Sequence, residues 1–155
     1  MKLVRYGQSG QEKPGLIDEK GQLRDLSSHV RDIDGESLAP EVLDRLKGLN
    51  ADDLSLVSDP QRLGPCVGNV GKLICVGLNY TDHAKEAGMA IPTEPVLFMK
   101  ATSSIIGPND DVEIPPDALK VDWEVELGIV IGKAGRYLSK GEALPNFTVG
   151  GYHND

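Results

Sequence analysis

Cysteine is scarce in this sequence: Cys66 and Cys75 are the only two in 155 residues. So few thiols in a chain of this length argue against a disulfide framework and fit reduced residues of a cytoplasmic protein. Long apolar runs are missing as well. No stretch of about 18 apolar residues occurs, so no transmembrane helix is expected. The first residues, Met1 to Gly7, turn polar too early for a secretory signal. Basic side chains are in deficit, 16 against 24 acidic, which leaves a net charge of −8. That balance speaks against nucleic acid or an anionic membrane as the main partner. It still permits a small anionic substrate, because a bound cation can invert the local field. There is no repeat and no low-complexity tract. The remaining composition, 39% hydrophobic and 26% charged, is that of an ordinary globular protein.

The pattern along the chain predicts an α+β protein in two parts. Residues 1–57 read as a small N-terminal α+β domain. Lys2–Gly7 suggests a strand. Pro14–Asp18 and Gln22–Leu26 flank the turn signal Glu19-Lys20-Gly21 and suggest a hairpin. Ser37 or Ala39 caps a helix with Pro40 in its first turn, Leu38, Val42, Leu43 and Leu46 on its apolar face, and Gly48 at its end. Residues 58–71, with Gly64, Pro65, Gly68 and Gly71 close together, read as a linker. A second domain, 72–155, is mostly β. Strands are expected at Leu73–Gly77, Val96–Lys100, Thr102–Ile106, Asp122–Gly132 and Phe147–Tyr152. A short helix is expected from Tyr80 to Ala87, capped by Asn79 and stopped by Gly88. Ser139-Lys140-Gly141-Glu142 matches a capping box. Trp123 and Phe98 read as core, His29 as a surface residue. The second domain ends on a polar cluster, His153-Asn154-Asp155, with no tail-like composition, and reads as truncated.

Three groups of residues carry possible chemistry. Glu124 and Glu126 alternate onto one face of an apolar strand, with Gly128 next on that face. Paired carboxylates there repel and lose hydration unless compensated, and a divalent cation is the simplest compensation. With Asp155 they form a set of hard oxygen donors suited to Mg²⁺, Mn²⁺ or Ca²⁺ rather than zinc. The plainer alternative is a solvated strand face and a solvated terminal residue. His83 and Glu86 are three apart on the short helix, close enough for the carboxylate to orient the imidazole as a base. A surface ion pair is the plainer alternative, although the flanking Gly77 and Gly88 suit a mobile lid. Lys100 ends the apolar run Val96-Leu97-Phe98-Met99, where it could meet a substrate carboxylate or extend to solvent.

Taken together, these stretches resemble the fumarylacetoacetate hydrolase family. The resemblance lies in Gly77-Leu78-Asn79-Tyr80-Thr81-Asp82-His83-Ala84-Lys85-Glu86, Pro95–Lys100, Ile105-Ile106-Gly107-Pro108, Trp123–Gly132 and Asn154-Asp155, in that order over residues 72–155. It implies a β-roll type catalytic domain, usually dimeric. It implies Mg²⁺ or Mn²⁺ held by Glu124, Glu126 and Asp155, a His83–Glu86 dyad on a helical lid, and Lys100 and Tyr80 toward the substrate. It also implies a small anionic keto acid as substrate, often an acylpyruvate, cleaved hydrolytically at a carbon–carbon bond. Alternatives on the same scaffold are a lyase, decarboxylase or isomerase of a related keto or ureido acid, such as a ureidoglycolate lyase. An inactive fragment or a passive metal-binding module is the alternative of another class. Family members continue past the Asn-Asp element, where a further active-site lysine is expected. They also have a slightly longer strand before it, which bears on the facing of Asp155.

Overall fold

The first strand to form a sheet, β1 (Lys2–Tyr6), pairs antiparallel with β2 (Lys13–Ile17), which pairs in turn with β3 (Leu23–Asp25). The computed structural model describes residues 1–59 and 61–154. Gly21, at φ +77°, closes the β2–β3 hairpin where the sequence predicts it. Asp18 also holds that turn: its carboxylate accepts from the backbone N–H groups of Lys20 and Gln22. Helix α1 (Pro40–Lys47) starts at Ala39 with Pro40 in its first turn, and Gly48 caps its end. Ser37 plays a different part, its hydroxyl accepting from Asp34 N–H at 2.8 Å in the turn that precedes the helix.

The apolar face read from the sequence is the face that packs. Leu46 joins Leu16, Leu26 and Leu54 in one buried cluster, while Leu43 and Leu38 join Ile33 in a second. Leu26 is fully buried. Burial of such a side chain stabilises by about 1.5–3 kcal/mol.

The chain forms two compact units. Met1–Asn69 and the chain from Ile106 onward make the first, and Val70–Ile105 makes the second. In the second, β4 (Leu73–Gly77) pairs antiparallel with β5 (Val96–Lys100), and α2 (Thr81–Glu86) lies between them in sequence. The strand bounds match the expectation. Helix α2 is capped at Tyr80 rather than Asn79, with no side-chain cap, and Gly88 follows it at φ +64°. In the first unit, β6 (Val125–Ile131) pairs antiparallel with β7 (Phe147–Asn154). The capping box opens α3 (Lys140–Ala143), with Ser139 N–H donating to Glu142 Oε2 at 2.9 Å.

Three local expectations are corrected. Thr102–Ile106 is not a strand. Thr102–Ser104 is a 3₁₀ turn, in which Ser104 N–H and Oγ both donate to the Ala101 carbonyl. That side-chain bond offers the backbone an alternative to a ladder. Trp123 and Phe98 are not core: Trp123 is 73% exposed, because it precedes β6 and packs under nothing described. On β6 the apolar residues Val125, Leu127, Ile129 and Ile131 are the exposed ones, while Glu126, Gly128 and Val130 take the more enclosed face. Val130 reaches the Ile33 cluster, so packing has chosen the face that also carries Glu126. Among the described residues, no helix is long and apolar enough to cross a membrane.

Candidate functional site

β6 positions Glu126 but not Glu124, because the strand begins at Val125 rather than at the expected Asp122. Its β-branched residues favour an extended backbone, and alternation then fixes which side chains share a face. Glu126 is half-buried, two residues before Gly128 on the same face, and stands opposite His153 in the backbone register. Glu124 lies just before the strand, exposed. Asp155, the third expected ligand, lies outside the described residues. Among those described, no group of three histidine, cysteine or acidic side chains is gathered closely enough to hold a metal. The donors themselves suit a hard cation: carboxylate oxygens, one of them on an enclosed face beside a residue with no side chain.

The second unit carries the other candidates. Leu78, at φ +51°, turns the chain from β4 toward α2. A leucine in the left-handed region is uncommon and costs on the order of 1–3 kcal/mol, so the surrounding structure must enforce this turn. Ala84 is fully buried and anchors α2, which leaves Asp82, His83, Lys85 and Glu86 exposed. His83 and Glu86 lie one turn apart, and no hydrogen bond joins them. Lys85 Nζ approaches Asp82 Oδ1 at 4.0 Å, a solvent-screened contact. Tyr80 is about half exposed at the helix start, and Lys100 is half-buried at the end of β5, opposite Leu73.

Sequence reasoning missed a cluster of charges in the first unit. Arg5 Nε donates to Asp32 Oδ1 at 2.7 Å, and Arg62 forms a two-pronged pair with the Asp110 carboxylate. Glu12 lies between the two arginines, 2.8 Å from Arg62 and 3.5 Å from Arg5, with only 5% of its side chain exposed. Burial pushes the Glu12 carboxyl up, but the Arg62 hydrogen bond and the nearby Arg5 charge hold it below its usual range. The Arg62 hydrogen bond likewise lowers Asp110. Glycines make the room. A Cβ on Gly64 would stand 2.6 Å from Glu12 Cγ, and one on Gly68 would stand 2.6 Å from Asp32 Oδ2. The signal available in sequence was those glycines beside Arg62, which composition alone reads as a linker.

Residues 72–153 match the family described as fumarylacetoacetate (FAA) hydrolase, C-terminal. The chain belongs to the fumarylacetoacetate hydrolase family. A Burkholderia ambifaria protein with a provisional hydrolase name is 56% identical over 144 residues, covering 93% of this chain and 51% of that protein. Among solved structures, a fumarylacetoacetate hydrolase from the psychrophilic Exiguobacterium antarcticum is similar at a TM-score of 0.75 and 32% identity. A Mycobacterium smegmatis protein provisionally assigned as HpcE is similar at 0.76 and 26%. Each structure covers 100% of this chain with 55% of its own. The chain therefore spans about half the length of the relatives it matches.

Proposed function

We propose that this protein acts in the divalent-metal-dependent hydrolysis of a carbon–carbon bond in a small β-diketo acid of the acylpyruvate type. The observation that carries the reading is the enclosed facing of Glu126 on β6, inside the stretch that matches the family. Glu124, Glu126 and Asp155 would hold Mg²⁺ or Mn²⁺. When bound, the ion supplies positive charge to the keto-acid oxygens and to the enolate that develops as the bond breaks. The chain's own residues have separate tasks. His83 accepts a proton from the attacking water on one ring nitrogen. Glu86, one turn on, accepts from the other ring N–H and orients the imidazole. The Lys100 ammonium pairs with the substrate carboxylate, and the Tyr80 hydroxyl donates to a substrate oxygen. The left-handed turn at Leu78 fixes the start of the helix that carries the dyad.

The test follows loss of the enol absorbance of an acylpyruvate with Mg²⁺ or Mn²⁺. It is run on this chain and on this chain fused to the unmatched part of the Burkholderia relative. Turnover should vanish with a chelator. Glu126→Gln should lose both metal and turnover, and His83→Ala should lose turnover while keeping metal. Silence of both proteins with metal bound would overturn the hydrolytic reading.

A further inference from the structure

Tyr80, His83, Glu86 and Lys100 are all carried on Val70–Ile105, which the chain enters after Asn69 and leaves at Ile106. Both attachment points are tied down within the first unit, by the charges around Glu12. On the entering side, Gly64 N–H donates to the Arg5 carbonyl at 2.8 Å, and Gly68 N–H to the Ile33 carbonyl at 2.7 Å. The Arg5 side chain adds a bond from Nη1 to the Pro65 carbonyl at 3.4 Å. On the leaving side, Gly107 N–H donates to Asp110 Oδ2 at 2.7 Å, and Asp110 Oδ1 accepts from Arg62 Nε at 2.7 Å. The two sides meet at Leu63, whose carbonyl oxygen lies so near Gly107 that a Cβ would overlap it. Glu12 joins them, 2.8 Å from Arg62 and 3.5 Å from Arg5.

Arg62 and Asp110 stand 48 positions apart in sequence, so their pair closes a loop around the whole of Val70–Ile105. The entropic cost of closing a loop grows only slowly with its length. A two-pronged, charge-assisted pair is among the stronger hydrogen-bonded contacts. The Arg62 and Asp110 side chains are only 27% and 23% exposed, so solvent and salt screen this pair less than a surface pair. We propose that Arg62 is a positioning residue. Acting through Asp110 and Glu12, it clasps the two attachment points of Val70–Ile105 and limits how far that unit can swing about them. The clasp depends on no reaction. Only its consequence for His83 and Lys100 rests on the proposed function, and the test reads no activity, so the two can fail separately.

The experiment places two spin labels on the full 155-residue chain. One is at Lys47→Cys on α1 and one at Lys85→Cys on α2, with Cys66→Ser and Cys75→Ala removing the native thiols. Distances between the labels are read by pulsed electron resonance, under conditions where circular dichroism shows the chain folded. With Arg62 intact, one narrow distribution is expected. Arg62→Met and Asp110→Asn each remove the pair and should broaden it. The double variant should broaden it no further than the single ones, because both act on one contact. Arg62→Lys keeps the charge without the planar fork and should give an intermediate width. A merely structural role would lower the melting temperature and leave the distribution of the folded molecules unmoved. Should Arg62→Met fail to fold, Asp110→Asn and Arg62→Lys carry the same test. An unchanged narrow distribution in the folded variants would overturn the proposal, and so would a broad one in the chain with Arg62 intact.

Discussion

Gly107→Ala tests whether the glycine in the Ile105-Ile106-Gly107-Pro108 stretch is there for space rather than for flexibility. A Cβ at this position would overlap the Leu63 carbonyl oxygen and stand 2.8 Å from Asp110 Oδ2. Both neighbours are held in place. Leu63 bridges to Tyr6 on β1, and Asp110 is clamped by Arg62 while accepting from Gly107 N–H at 2.7 Å. Because the contact with Leu63 is to backbone, no side-chain rotation relieves it. Overpacking of this kind costs about 1–3 kcal/mol. Partial loss of the Gly107–Asp110 hydrogen bond adds about 1 kcal/mol. At roughly 2–4 °C per kcal/mol for a chain of this size, Tm should fall by about 5–15 °C. Gly35→Ala is the control. Nothing lies within 4 Å of its new Cβ, so it should leave Tm unchanged or raise it through the unfolded state. Thermal melts followed by circular dichroism, with urea titrations alongside, read both. If Gly107→Ala melts with the control, the steric account of this glycine is wrong.

Two further outcomes follow from the buried charges. Glu12→Gln leaves Arg5 with Asp32 and Arg62 with Asp110, but removes the carboxylate between them. It should cost about 1–2 kcal/mol after solvent screening, read by urea denaturation. The lowered Glu12, Asp18 and Asp110 carboxyls stabilise fully above their ordinary values of 4.5, 3.8 and 3.8. That contribution is lost as pH falls through their depressed folded values, so stability should drop on acidification and drop less in Glu12→Gln. At the alkaline end, burial and the hydrogen bond to Asp25 push the Tyr6 phenol up to about 12. The neutral phenol is favoured in the fold, so its contribution is present below the usual 10.0 and fades as pH rises through the folded value. In an ultraviolet titration one of the four tyrosines should ionise late, and Tyr6→Phe should remove that phase.

Local chemistry was legible wherever neighbours in sequence decide the outcome. Pro40 and the spacing of Leu38, Leu43 and Leu46 gave α1 and its buried face, and Lys20-Gly21 gave the β2–β3 hairpin. The bounds of β4 and β5 followed from apolar runs between glycine and proline signals. What failed depended on distant partners. Which side of β6 is enclosed was decided by Val130 packing on the Ile33 cluster, and strand alternation alone is blind to that choice. Gly64 and Gly68 look like linker residues until Glu12 and Asp32, some 50 and 36 positions away in the sequence, are seen to occupy the space a side chain would need. For the candidate site, the strand under Glu126 and the helix under His83 could be anticipated. The third expected ligand, Asp155, lies outside the described residues.

The ladder between β6 and β7 shifts register between Val130 and Ile131: Val130 stands opposite Val149, but Ile131 stands opposite Phe147. One residue of β7 is thereby left without a partner, the mark of a bulge. The irregularity sits at the end of the ladder nearest the 132–146 connection, whereas Glu126↔His153 and Val125↔Asn154 sit at the far end. Side-chain facing has period two, so a slip running the whole ladder would reverse every residue on it. Here a mismatch introduced near the connection is taken up before it reaches Glu126. The 132–146 connection is thus where this fold can gain or lose single residues over evolution, or accept an engineered insertion, while Glu126 keeps its side of the sheet.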